Sequence, residues 1–234
     1  MGTEKRSELL LNILDEHPGE EALYAYFDAM TDELPMQIAK LEYAAFDEVT
    51  NEGGRAVCQD NWGTFSIMRL SQYNNWTHEM LVRFATDFLL AYGSGLNIIS
   101  EKYARMEEST APQEWEKIKD NFPVIDEETK SIIEAIVGIQ VKWMEDFAEK
   151  YPAFAGNARS IHTSEDTPFN TSYETYLRGE LSTYSGMMLT LYGEFITSLL
   201  KEGKNLAYMT MEQTAKLYGY ESVEDAENRQ KMNK

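Results

Sequence analysis

FSIMRLSQYNNWTHEMLVRFATDFLLAYGSGLNI, residues Phe65 to Ile98, recurs in worn form as YETYLRGELSTYSGMMLTLYGEFITSLLKEGKNL, residues Tyr173 to Leu206. At a constant offset of 108 residues Gln72 meets Glu180, Trp76 meets Tyr184, and Met80-Leu81 meets Met188-Leu189. Phe84 likewise meets Tyr192, and Phe88 meets Ile196. Both stretches close on Gly-x-Asn and an aliphatic residue: Gly95, Asn97 and Ile98, then Gly203, Asn205 and Leu206. Apolar side chains three and four apart line one face of a helix, so one helical unit is read here twice. Any two amphipathic helices share apolar spacing, so the order of elements carries more weight than the identities.

That order extends outward. An amphipathic helix precedes each copy, Leu34 to Val49 and Ile132 to Phe147. A loop with glycine and arginine follows: Gly53-Gly54-Arg55 in one copy, Gly156-Asn157-Ala158-Arg159 in the other. An acid, Asp60 or Asp166, then stands before the aromatic-rich helix. The expectation is an all-α helical bundle of two pseudo-twofold-related halves sharing one core, with a ligand site at the seam. N-terminal helices would occupy 1–33, the halves 34–125 and 126–226, and a fraying polar tail 227–234.

Helical spacing also fills the rest of the chain. Leu9, Leu10, Ile13 and Leu14 form a stripe ending before Pro18, and Pro35 suits the first turn of the helix that carries Ile38, Leu41 and Ala45. A long helix from Glu127 to Lys150 places Ile133, Ile136, Gln140, Trp143 and Phe147 on one face and stops at Pro152. Capping boxes are predicted at Thr110, Thr171, Thr210 and Ser222. Sustained period-two alternation is absent, so no sheet is expected.

Composition bounds the function. Acidic residues outnumber basic ones 40 to 21, a net charge of −19, while 43% of residues are apolar and 12% aromatic. A field of that sign repels phosphate backbones and anionic lipid, which argues against nucleic acid or a membrane surface as partner. No run is long and apolar enough to span a bilayer, and Met1-Gly2-Thr3-Glu4-Lys5-Arg6 has no signal-peptide core. A cytoplasmic protein is expected. One cysteine, Cys58, excludes an intrachain disulfide or thiolate cluster.

Three constellations could carry chemistry. Cys58, Gln59 and Asp60 follow Arg55, whose charge would lower a nearby thiol pKa, although no histidine stands in a known pairing position. Arg69, Gln72 and Trp76 share a helix face at spacings of three and four, as do Tyr176, Glu180 and Tyr184, with Arg178 close by. Guanidinium forks beside tyrosine and tryptophan suit a pocket for a carboxylate or phosphate. The same residues also suit an internal salt-bridge network. Acidic bundles can hold two metals, but that needs Glu-x-x-His on two helices, and the chain has none. No metal or cofactor is expected. The run Lys102-Tyr103-Ala104-Arg105-Met106 reads as a helix with its charges outward and its tyrosine and methionine inward.

Several runs resemble the bacterial domain-of-unknown-function family 4125: Gly53-Gly-Arg-Ala-Val-Cys-Gln-Asp60, Phe65 to Gln72 with Trp76, Lys102 to Met106, and Glu174 to Ser185. The resemblance covers about Ile38 to Ala226, and Thr-Tyr-Leu-Arg-Gly-Glu-Leu is its most specific part. It implies a bacterial protein of a family from mainly anaerobic and gut species, with no assigned activity and some members fused to nucleotidyltransferase-like domains. No catalytic residue carries over. Asn157-Ala158 departs from a family pattern that favours glycine before the arginine.

Two functions therefore stand as expectations. The first is a polar pocket that binds or transforms a small anionic metabolite. Arg55, Arg69, Arg159 and Arg178 would clamp it, Gln59, Gln72, Trp76, Tyr176 and Tyr184 would line it, and Asp60, Asp166, Glu180 or Cys58 would supply any chemistry. The second is a non-enzymatic interaction or accessory module, serving a protein partner such as a nucleotidyltransferase-like domain, in which these residues form a structural network.

Overall fold

The computed structural model describes residues 4–50 and 54–232, apart from the side chains of 4–7 and 58. Among the described residues the regular structure is helical throughout, with one isolated bridge between Thr167 and Asn170. Two compact units divide at Met1–Glu101 and Lys102–Lys234, inside a helix rather than near residue 125.

The first unit holds α1 (Glu4–Glu16), α2 (Glu20–Asp28), α3 (Leu34–Phe46), α4 (Trp62–Tyr73), α5 (His78–Gly93) and the start of α6 (Ile98–Thr110). α1 and α3 both pack on α5; α2 also packs on α5, and α4 on α3. Leu10, Phe27, Leu41, Phe88 and Leu89 are fully or almost fully buried among them, each stabilising the fold by roughly 1.5–3 kcal/mol through removal from water. Pro35 stands in the first turn of α3, as predicted, where its missing N–H costs nothing.

The second unit continues from α6 into α7 (Pro112–Ile118), α8 (Glu127–Lys150), α9 (Pro152–Ala155), α10 (Tyr173–Leu181), α11 (Gly186–Lys201), α12 (Leu206–Leu217) and α13 (Val223–Met232). α8 has the predicted bounds. Asp126 caps it by accepting from Thr129 N at 2.7 Å. Ile133, Ile136, Gln140, Trp143 and Phe147 are its buried face, against which α10, α11 and α12 pack.

Element boundaries repeat between the units. α4 and α10 end at Tyr73 and Leu181, α5 and α11 span 78–93 and 186–201, and α6 and α12 begin at Ile98 and Leu206, always 108 residues apart. Thr77 and Ser185 cap α5 and α11, and Asn97 and Asn205 stand before α6 and α12 with their side chains accepting backbone N–H groups. The turns between match too. Gly95 and Gly203 take positive φ, and Leu96 N and Lys204 N each donate to a carbonyl five residues back.

Three expectations are corrected. Of the four predicted caps only Ser222 stands in place, receiving Asp225 N. α10 starts on Ser172, one residue after Thr171, because Ser172 Oγ receives Thr175 N; Thr110 ends α6, and Thr210 lies inside α12. In place of a fraying tail, α13 continues past Glu227 to Met232. Glu227 is buried and accepts from Ala153 N and Phe154 N, neutralising the free amides at the start of α9. Finally, Lys102 points inward, 4% exposed.

Candidate functional site

The sequence-predicted polar residues gather in separate clusters, each inside one unit. In the first unit α3 presents Glu42 to α4. Arg69 Nε donates to Glu42 Oε2 at 2.6 Å and Nη2 to Oε1 at 2.8 Å, while Tyr73 OH donates to Oε2 at 2.6 Å. All three residues are buried. Arg69 Nη1 also donates to Gln72 Oε1 at 3.1 Å. Trp76 lies edge-on to Tyr73 and to Phe84, with centroids 5.0 and 5.6 Å away. Every named partner belongs to the protein, so this fork is already engaged.

Gln59 clasps the loop before α4. Its amide nitrogen donates to Phe46 O at 2.8 Å and Val49 O at 2.9 Å, and its oxygen accepts from Ala56 N at 2.8 Å. Arg55 pairs with Asp47 and, at 2.9 Å, with Asp60 on the surface. The Cys58 side chain, on which the expected thiol chemistry falls, and Gly53 lie outside the described residues.

In the second unit Arg178 is held between two acids, donating from Nε to Glu134 at 2.6 Å and from Nη2 to Glu174 at 2.8 Å. Asp166 is likewise occupied, accepting from Ser109 Oγ, Thr175 Oγ1 and Ser172 N, each at 2.6 Å. Burial opposes ionisation of Asp166, but those donors outweigh it and hold the carboxyl below the usual range.

The remaining cluster is built differently. Tyr173, Tyr176 and Glu180 follow one face of α10. From α6, Lys102 Nζ donates to Tyr176 OH at 3.1 Å and lies 3.5 Å from Glu180 Oε2. Glu180 Oε1 accepts from Tyr184 OH at 3.2 Å. Gly179 lets α6 come this close, since a Cβ there would stand 3.0 Å from Lys102 O. Two cations address one ring: Lys102 Nζ and Arg159 Cζ both lie 4.9 Å from the Tyr176 centroid. Arg159 is exposed and donates from Nη1 to Thr171 O at 3.0 Å. Among the described residues it has no carboxylate partner. Of the four arginines expected to clamp an anion, only Arg159 is without a carboxylate partner among the described residues.

Sequence reasoning missed Lys102, Glu42 and the part played by Gln140. Glu42 and Gln140 had a signal, being polar residues inside otherwise apolar helix faces. Lys102 had none, because its burial depends on the small contact at Gly179. Among the described residues no three His, Cys, Asp or Glu side chains converge as a metal site, and no helix is long and apolar enough to cross a membrane.

A family model described as "Protein of unknown function (DUF4125)" matches residues 32–228. No curated protein and no solved structure matches the chain.

Proposed function

We propose a function on one premise: the chain belongs to the DUF4125 family. The second unit binds a small anionic metabolite, with Arg159 as the guanidinium fork, Tyr176 as the platform under it and Lys102 as the second positive charge. The observation that carries this is the pair of cations on the Tyr176 ring, one of them with no acidic partner among the described residues. In a chain of net charge −19, an unneutralised arginine stacked on an aromatic ring is a local exception to the field. The ring and Thr171 O hold the guanidinium in place, so a carboxylate or phosphate meets its remaining donors with little ordering left to do. Glu180 and Tyr184 then position Lys102 from behind.

The proposal includes an internal duplication, supported by the matching boundaries, caps and turns, and a bacterial cytoplasmic setting. The test is thermal unfolding with inorganic phosphate, citrate and benzoate at up to tens of millimolar. An anion at ten times its Kd stabilises the fold by about 1.4 kcal/mol, which raises Tm by about 4 °C for a chain of this size. Arg159→Met should remove the response and leave the unliganded Tm in place. No response to any of the three, or an undiminished one in Arg159→Met, rejects the site.

A second reading has its own observation. Arg55, Arg69 and Arg178 are all held by carboxylates of the protein, as a structural network requires. On that reading the chain is an accessory module for a protein partner, such as the nucleotidyltransferase-like domains fused to some family members. It predicts that the protein binds a separately produced domain of that kind and ignores all three anions.

A further inference from the structure

Gln140 is buried, 4% exposed, yet among the described residues its amide nitrogen meets no hydrogen-bond acceptor. Its Oε1 accepts from Tyr192 OH at 3.2 Å and from Tyr173 OH at 3.5 Å. Turning the amide over only exchanges the problem, because the carbonyl oxygen would then occupy the side with no partner. A buried N–H without an acceptor is unfavourable. The position calls for an acceptor that the surrounding side chains do not supply.

The first unit shows the closed form of the same position. Asn97 Nδ2 donates to Ala45 O on α3 at 2.9 Å, and Asn205 Nδ2 donates to Trp143 O on α8 at 3.0 Å. Glu42 lies three residues before Ala45 and Gln140 three before Trp143, so the two are matching positions. Glu42 is satisfied by Arg69 and Tyr73. At the constant offset those two residues become Leu177 and Leu181. The second unit thus lacks the cation and the phenol that close the first network, and it has an amide where the first has a carboxylate. What results is an inward-facing donor without a partner.

We infer that Gln140 donates its amide N–H to the far acceptor of an elongated acid whose charged end lies on Arg159 and Lys102. The inference rests on the anion site proposed above. Tyr173 and Tyr176 are one helical turn apart on α10, about 5–6 Å between their Cβ atoms. Gln140 meets the first, and Arg159 and Lys102 meet the second. An acid that meets both ends needs a carbonyl oxygen opposite its charged group, as a para-acylated benzoate has. Tyr173 is half-buried and its hydroxyl donates to Gln140 Oε1.

Benzoate and 4-acetylbenzoate carry the same carboxylate and differ in the far carbonyl, so calorimetric titration of both isolates the Gln140 contact. Wild type should prefer 4-acetylbenzoate by about tenfold, the effect of one hydrogen bond to a buried donor. Gln140→Glu still accepts from both phenols but has no N–H to give, so the preference should collapse to about one. In case that variant does not fold, the 15N side-chain amide signals of wild type give a second reading. One glutamine NH2 pair should shift with 4-acetylbenzoate and stay put with benzoate. No preference in wild type, an unchanged preference in Gln140→Glu, or no such shift means that only an ordered water serves Gln140, and overturns the inference. If Arg159→Met binds benzoate as wild type does, or wild type binds neither acid, the parent site fails and this inference falls with it.

Discussion

Arg69 and Glu42 meet at two points inside the first unit, Nε to Oε2 at 2.6 Å and Nη2 to Oε1 at 2.8 Å, with the Tyr73 hydroxyl donating to the same carboxylate. A buried pair of this kind has its desolvation cost offset only while both partners remain. Arg69→Met should therefore destabilise the protein by about 3–5 kcal/mol, since it leaves Glu42 charged and enclosed. Arg69→Met with Glu42→Gln should recover most of that loss, because the uncompensated charge is gone. Urea unfolding of the single and double variants measures the difference. A single variant within about 1 kcal/mol of wild type, the range of exposed ion pairs, would show that the pair is not closed to water.

Gly179 sets how near α6 comes to α10. A Cβ at this position would lie 3.0 Å from Lys102 O and 3.1 Å from Met106 Cγ, and the first of these is backbone that cannot swing away. Gly179→Ala should cost roughly 1–3 kcal/mol through overpacking. It should also weaken anion binding several-fold, because moving the Lys102 backbone moves its ammonium off Tyr176. Gly138→Ala is the matched control: the added methyl meets nothing within 4 Å and leaves binding as it was. Loss of stability with full anion affinity in Gly179→Ala would separate Lys102 from the site.

These two cases show what was legible in the sequence. Helical periodicity identified much of the core, because apolar burial is a local, repeating signal that α8 and α5 display over several turns. The order Gly/Arg loop, acid and aromatic helix was also visible. What was not visible was pairing. Arg69, Arg159 and Arg178 look alike in the chain, but Glu42, Glu134 and Glu174 reach two of them and no described carboxylate reaches the third. That sorting depends on Glu42 and Glu134, brought from 27 and 44 residues away, which no local pattern encodes; Glu174, four residues before Arg178, is the one local partner. Lys102 was misread for the same reason. Its burial is decided 77 residues later, at Gly179.

Gly95 and Gly203 hold matching turns, with φ of 89° and 66° and nothing within 4 Å of a built Cβ. The obstacle to a side chain is thus the backbone conformation alone, not crowding. Gly95→Ala and Gly203→Ala should each destabilise by about 1 kcal/mol, and the two losses should add, because the sites belong to separate units. Thermal or urea unfolding of the three variants checks this. Unequal single losses would mean that the two turns carry different loads despite their shared geometry.

Asp166 gives a pH dependence whose sign is fixed by its partners. Burial favours the neutral acid, but Ser109, Thr175 and Ser172 donate to the carboxylate and lower its pKa below the unfolded value, which is about 3.9. Between the folded and unfolded values the unfolded chain holds the extra proton, so stability rises with pH there. The contribution is complete above about pH 5, starts to fade near the unfolded value of about 3.9, and is gone below the folded one. Asp166→Asn keeps one accepting oxygen and loses the charge, so at pH 7 it should be less stable than wild type by about 2 kcal/mol. That gap should stay constant from about pH 8 to pH 5 and narrow as the pH drops through about 4. Urea midpoints of both proteins across the range test it. A gap that persists unchanged at about pH 3, or that opens instead at alkaline pH, would assign the stabilisation to the shape of the side chain rather than to its ionised form.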